Sequence, residues 1–204
     1  MVRARGDSRA PARSVQAPGG ADVRRCFVAI WPDDSARSAL AALAARCAQG
    51  QGRAQAVAPV NLHLTLAFIG DLAREAGDAL AGRIARMHEK SGDFVLDRIG
   101  YFAKPRVIWA GTGETPALEA LSDSVRRVLA GSGVPFDAKR FAAHVTLLRH
   151  AAALPGPAPQ VDIAWPNSAP DLAYSERDPT GRLIYRSWSP TAPGQDDGLA
   201  GNGA

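Results

Sequence analysis

Arg25-Cys-Phe-Val-Ala-Ile-Trp31 is a short apolar, β-branched run, and it predicts a buried strand. Pro32 and Asp33-Asp34-Ser35 then supply a helix start. Leu40, Leu43, Ala44 and Cys47 follow at helical spacing to about residue 48, and Gly50-Gln-Gly52 ends the helix. After a loop, Asn61-Leu-His-Leu-Thr-Leu-Ala-Phe-Ile-Gly70 alternates as a strand, closed by its glycine.

The same order recurs further along. Arg106–Ala110 reads as a strand and Gly111-Thr-Gly113 as a turn. Thr115-Pro116 gives an N-cap with proline at the first helical position. Leu118, Leu121, Val125, Val128 and Leu129 form an apolar stripe that Gly131 stops. Phe141–Arg149 is the matching strand. Both copies end in His-x-Thr-Leu, with Phe27 placed 36 residues before His63 and Trp109 placed 35 before His144. This is an internal duplication of strand–helix–strand. Between the copies, Asp71 is expected to cap a helix over 72–90, and Asp93–Phe102 to form a strand. Three further strands are expected at Val161–Trp165, Leu172–Glu176 and Leu183–Trp188. The fold class that results is α+β. Two pseudo-symmetric lobes, each an antiparallel sheet with outer helices, enclose a cleft within a domain over 24–190.

Composition changes this picture little. The 204 residues suit one domain or two small lobes, and 46% apolar with 22% charged residues is ordinary for a soluble protein. The apolar runs fall far short of the roughly 20 residues that span a bilayer. Two cysteines make no disulfide framework, so a reducing, cytoplasmic setting is expected, with no membrane association and a monomeric chain. The net charge of +4 tempts a nucleic-acid reading, but it is concentrated at one end. Residues 1–25 hold six arginines against two aspartates, leaving 18 basic and 18 acidic residues in the rest. That Arg/Pro/Ala-rich leader, 1–23, and the tail 191–204 are both expected to be disordered.

The candidate chemistry lies on the two matching strands. Alternation puts His63 and Thr65 on one face, opposite Leu62, Leu64 and Leu66, and puts His144 and Thr146 on one face, opposite Val145 and Leu147. A pseudo-twofold would set the two pairs across a cleft with room for one tetrahedral group. In-line displacement at phosphorus needs a base on one side and an acid on the other, and histidine serves either role near neutrality. Threonine hydroxyls can donate to the non-bridging oxygens as charge builds there. No metal-ligand spacing is visible, so neither metal nor cofactor is expected. A histidine followed two residues later by threonine is commonly structural. With six threonines in the chain, two such pairs among four histidines would arise about once in two hundred sequences by chance.

Asn61–Gly70 and Ala143–Arg149 resemble the paired HxTx motifs of the bacterial and archaeal RNA 2′,3′-cyclic phosphodiesterases, once called 2′-5′ RNA ligases, within the 2H phosphoesterases. Arg25–Ile30, Pro105–Trp109 and Tyr174–Trp188 also resemble that pattern, so the likeness covers about residues 24–190. Ala143 departs from it, since the family usually has proline there. The resemblance implies hydrolysis of an RNA terminal 2′,3′-cyclic phosphate to a 2′-phosphate. His63 would be the proton donor, His144 the proton acceptor, and Thr65 and Thr146 the phosphate-binding residues. It implies RNA ends or nucleoside 2′,3′-cyclic phosphates as partners. The residues alone do not decide which histidine is the acid.

Around this quartet, Arg149 falls off the His144 face by alternation and is divided between the phosphate and a strand-end salt bridge. Phe68 is placed in the core, with base stacking as the alternative. His88 and His150 are assigned to the surface and the four tryptophans to the core. Lys104, Arg106, Lys139 and Arg140 are divided between a basic rim and a solvated face. Three other functions compete: 2′-5′ ligation at the same site, a non-catalytic RNA-binding module, and a 2H enzyme acting on a small cyclic nucleotide or ADP-ribose product. The second fits poorly with a neutral body that is only 6% aromatic.

Overall fold

The computed structural model describes residues 22–113 and 115–189, so the readings of the leader over 1–21 and of the tail lie outside the described residues. Strand β1 spans Val23–Ile30, and Asp22 pairs with Arg24 at 3.0 Å. Helix α1 (Asp34–Ala48) follows and is capped as its sequence predicts, Asp33 Oδ1 accepting the Ala36 N–H at 2.8 Å. Then come the short strand β2 (Gln55–Ala56), a single 3₁₀ turn (Pro59–Asn61), strand β3 (Leu64–Ala73) and helix α2 (Arg74–Ala85).

Strands β4 (Phe94–Leu96), β5 (Arg98–Phe102) and β6 (Val107–Gly111) precede helix α3 (Pro116–Gly131). Strand β7 (His144–Arg149) carries the second motif. Strands β8 (Ile163–Trp165), β9 (Asp171–Arg177) and β10 (Leu183–Ser187) complete the described chain. Thr115 is the N-cap of α3 with Pro116 after it, but its hydroxyl makes no cap bond. Burial of Leu118, Leu121, Val125 and Leu129 holds that helix in place.

Every strand pairing is antiparallel, and the main sheet runs β10-β9-β1-β3-β7-β6-β5, with β2 also on β7. The two copies of the duplicated unit sit side by side in it. They join at β3 and β7 through one ladder pair, Leu64 with Val145. The helices are exchanged across this joint: α1, which follows β1, leans on β7, and α3, which follows β6, leans on β3. One core therefore serves both halves. On the opposite face a second, small cluster of Phe27, Ala29 and Ala173 is flanked by Trp31 and Tyr185, and it forms the floor under His63.

Two expectations are corrected. Strand β3 does not close at Gly70. That glycine takes φ +95 in a β-bulge, and pairing resumes through Asp71 with Arg25, so Asp71 is a strand residue and the helix starts three residues later without a side-chain cap. The run 93–102 is also two strands. The chain turns at Asp97, whose N–H donates to the Gly111 carbonyl. β4 leaves with β8 in a separate two-stranded sheet, while β5 pairs with β6.

Candidate active site

The antiparallel register about Leu64 and Val145 fixes the centre of the site. Continued by one residue either way, it brings His63 beside Thr146 and Thr65 beside His144 on the face away from the helices. Directly opposed side chains in such a pair lie about 4.5–5.5 Å apart at Cβ, and diagonal ones about 7–8 Å. The two histidines thus occupy one diagonal of a square and the two threonines the other. Val145, Leu64 and Leu62 point the other way and are fully buried.

Immediately beyond each threonine the sheet makes the same irregularity. Pairing passes from Ala29–Thr65 to Val28–Ala67, which leaves Leu66 over, and from Trp109–Thr146 to Ile108–Leu148, which leaves Leu147 over. Each bulge puts two successive apolar residues into the core: Leu66 and Ala67 at 1% and 4% exposure, Leu147 and Leu148 at 0%. The alternation then restarts in the opposite phase. Phe68 and Arg149 are thereby returned to the histidine face, at equivalent positions of the two halves.

That phase change corrects both sequence readings. Phe68 is 37% exposed at the rim of the site rather than in the core, and Arg149 shares the face of His144. Neither finding was reachable from strict alternation. The carbonyls released by the bulges are both satisfied: Leu66 O accepts from the Ser122 hydroxyl of α3 at 2.9 Å, and Leu147 O from the Val57 N–H at 2.8 Å.

A cavity of about 280 Å³, near the lower end of the usual range for small-molecule sites, is lined by His63, Thr65, Phe68, Arg149, Arg25 and Tyr185, among others. His63 is walled by three rings: Phe27 at 4.8 Å, Tyr185 at 5.0 Å and Trp31 at 5.5 Å between centroids. Its Nδ1 lies 2.7 Å from the Asn61 carbonyl, which can only accept, so Nδ1 carries the hydrogen and Nε2 is the atom left for a ligand. Burial pushes its pKa down to about 4. The Asn61 carbonyl opposes that shift, and the positive fields of Arg149 and His144 add to it. In the free cleft His63 is a neutral imidazole.

Asn61 does more than accept this bond. Its side chain donates to the Leu183 carbonyl at 2.8 Å and accepts the Tyr185 N–H at 3.0 Å, which ties β10 to the residue two places before His63. Asn61 stands at the head of the motif strand, is 6% exposed and makes all these bonds, and sequence reasoning passed over it. Trp31 was placed in the core but stands in the wall beside His63, its Nε1–H held by Asp171 at 2.7 Å.

His144 is arranged in the same way and is more open. Its Nδ1 lies 2.7 Å from the Ala142 carbonyl, so its Nε2 is likewise the free nitrogen. Phe102 lies edge-on at 5.2 Å and Trp109 at 6.4 Å. Trp109, also expected in the core, needs two glycines beside it: a Cβ on Gly100 or Gly111 would fall 2.2 or 2.7 Å from its ring. Ala143, where the family usually has proline, leaves this strand entry intact.

Among the remaining candidates Arg140 shares a hollow with one member of the quartet, His144. His88 and His150 are exposed, as expected, and Trp165 and Trp188 are buried. Lys139 pairs with Asp137 at 2.8 Å, and Arg106 bonds the carbonyls of His150 and Ala151. Lys104 is exposed. Both cysteines are free and buried. Among the described residues, no three of His, Cys, Asp and Glu come together as metal ligands, and no helix is long and apolar enough to cross a membrane.

Known proteins resemble this chain in sequence and fold. The family described as LigT like phosphoesterase matches residues 30–109. The RNA 2′,3′-cyclic phosphodiesterase of Escherichia coli K12 is 38% identical over 47% of this chain, although the match spans only 54% of that protein's length. The protein of the same name from Archaeoglobus fulgidus is 33% identical over 61% of this chain and 72% of its own. Crystal structures of E. coli LigT with 3′-AMP and with ATP superpose with TM-scores of 0.72 and 0.70. Each is 29% identical and covers 82% of this chain, and 97% and 96% of LigT respectively. With a relative 33% identical over 72% of its length and the family match over the first copy of the duplicated unit, the chain belongs to the LigT-like phosphoesterase family.

Proposed function

We propose that this protein is a hydrolase that opens the 2′,3′-cyclic phosphate at an RNA end to a 2′-phosphate, by acid–base catalysis between His63 and His144 and without a metal ion. The observation that supports the reading is the joint at Leu64 and Val145, whose register carries two histidines and two threonines onto one face of the sheet, a setting that suits one tetrahedral phosphate. The cyclic phosphate occupies that space with its non-bridging oxygens on the Thr65 and Thr146 hydroxyls. His144 Nε2 takes a proton from water, the water oxygen attacks phosphorus, and the P–O3′ bond opposite breaks. His63 Nε2 delivers its proton to the departing 3′ oxygen. Relatives bearing the name of this activity, and a structural neighbour that holds 3′-AMP and ATP, support a nucleotide ligand.

A neutral His63 must gain its proton before it can act as an acid. The substrate supplies the cause: a cyclic phosphate carries one negative charge, and an anion against the imidazole favours its charged form. Arg149, on the same face, holds that anion and balances the charge that develops on it. Phe68, its counterpart across the pseudo-twofold, offers a ring at the rim for a base.

The test is incubation with an oligonucleotide ending in a 2′,3′-cyclic phosphate, with and without EDTA, followed by identification of the product isomer. A 2′-phosphate formed equally in both supports the proposal. A 3′-phosphate, or turnover abolished by EDTA and restored by one divalent metal, overturns it.

A further inference from the structure

The catalytic cavity does not end at the terminal nucleotide. Arg149, Leu183 and Tyr185 also line a groove of about 930 Å³, more than three times the volume of the cavity it leaves. One wall is the segment from β2 to the 3₁₀ turn, and the other is the β9–β10 hairpin with Arg177, Asp178 and Arg182. We propose that this groove holds the RNA strand on the 5′ side of the cyclic phosphate, with Arg177 and Arg182 on its backbone phosphates. The inference rests on the phosphodiesterase reading of the site above.

Charge and chemistry both fit a polyanion. Among the described residues Arg149, Arg177 and Arg182 form no ion pair within 4 Å, although the Arg182 charge lies near enough to Asp178 to help lower that carboxyl's pKa, whereas Arg24, Arg98, Arg186 and Lys139 are paired. The one carboxylate in the groove is engaged by its own turn: Asp178 Oδ1 accepts the Thr180 N–H, the Thr180 hydroxyl and the Arg182 N–H. Arg177 donates from Nη1 to the Gly181 carbonyl at 2.7 Å, which holds the hairpin and leaves its other N–H donors for a ligand. Single-stranded nucleic acid is bound by such a pairing of cations with rings and apolar surface. Here Tyr185 and Leu183, the latter 43% exposed, stand where the groove meets the site.

The groove is also built onto the catalytic strand. Asn61 fixes Leu183 and Tyr185 and, through its carbonyl, the His63 ring at Nδ1, so the wall of the groove and the imidazole are held by one residue. The alternative exit, the hollow beyond His144, is about 410 Å³ and is lined by Glu119 with Arg98 and Arg140. Arg98 there faces Asp97 at 3.6 Å. The larger, more basic path is the groove.

The experiment compares kcat/KM on a cyclic-phosphate-ended tetranucleotide and on a nucleoside 2′,3′-cyclic phosphate, across a salt series, for wild type and Arg177→Gln/Arg182→Gln. The wild type should prefer the tetranucleotide at low salt. The double variant should lose at least about tenfold on it, with a salt slope shallower by about 1.4, and keep its rate on the mononucleotide. Arg182→Glu alone, which leaves the Arg177–Gly181 bond in place, should act in the same direction. Anisotropy of a labelled tetranucleotide ending in a 2′-phosphate gives a readout independent of turnover and should weaken in parallel. Unchanged tetranucleotide rates, slope and binding in both variants would overturn the groove while leaving the hydrolysis standing. A loss confined to Arg140→Gln would move the strand to the other side and overturn it as well. If neither substrate turns over, the phosphodiesterase reading fails, and the binding series alone decides the groove.

Discussion

His63 sits where a charged imidazole is unwelcome, and this has consequences in two measurements. In the folded protein its pKa is held at about 4, against 6.5 for a free histidine. Between those values the unfolded chain binds a proton that the folded chain does not, so stability rises with pH across this window and falls on acidification through it. His63→Ala should therefore flatten the dependence of Tm on pH between about 6.5 and 4, which calorimetry at half-unit steps would read. A parallel slope in the variant would mean that His63 titrates normally. The same residue governs the rate. The lower limb of kcat/KM, which reports the free enzyme, should fall near pH 4 and move upward in kcat, because bound phosphate raises the His63 pKa. Coincident limbs would show that substrate does not load this proton. Substitution separates the roles further. His63→Ala and His144→Ala should each lose about 10²- to 10⁴-fold in rate. Thr65→Ser and Thr146→Ser should keep most activity, whereas Thr→Val at either position keeps the shape and should lose it. Active Thr→Val proteins would leave only the histidines as the site.

Two bulged strands make these residues a site, and bulges explain which parts of the molecule were legible in the sequence. The duplication and the His-x-Thr faces were readable because they depend on spacings of two and 3.6 residues, which survive in the structure. Phe68 and Arg149 were not, because one extra residue at Leu66 and one at Leu147 reverses the phase, and no apolar pattern marks an inserted residue among leucines. Gly70 misled for a related reason: a glycine that permits a bulge and one that ends a strand are the same letter. Trp31 and Trp109 looked like core because aromatic residues in strands usually are, yet both stand beside a catalytic candidate. The bulge in β3 depends on Ser122, whose hydroxyl satisfies the Leu66 carbonyl deep in the core. Ser122→Ala should cost about 1–3 kcal/mol for the carbonyl left unpaired and should lower kcat through displacement of Thr65 and Phe68. Denaturant melts and turnover on the same samples read both effects. A stability loss with kcat unchanged would show that the bulge holds its form without this bond.

At the scale of the whole chain, a site assembled from two halves raises the question of what keeps them in register, since the ladder across the joint is one pair long. The crossed helices answer it. With α1 on β7 and α3 on β3, each half covers the apolar face of the other, and neither can bury its own strands alone. Leu121 on α3, 1% exposed, belongs to this shared core. Pairs of residues held by a common core unfold together, so loss of activity, tryptophan fluorescence and far-UV circular dichroism should follow a single transition in urea. Leu121→Ala should remove about 2–5 kcal/mol and shift all three curves equally. Independent halves would behave differently: activity would disappear in a first transition while part of the helical and sheet signal persisted to a second. The variant would then move only the transition of its own half. In that case the quartet would be held by the single Leu64–Val145 contact, and a small loss at the joint would abolish catalysis without unfolding either half. Coincident curves instead place the geometry of the two His-x-Thr strands under the full cooperative stability of the domain, which is what the proposed acid–base pair requires.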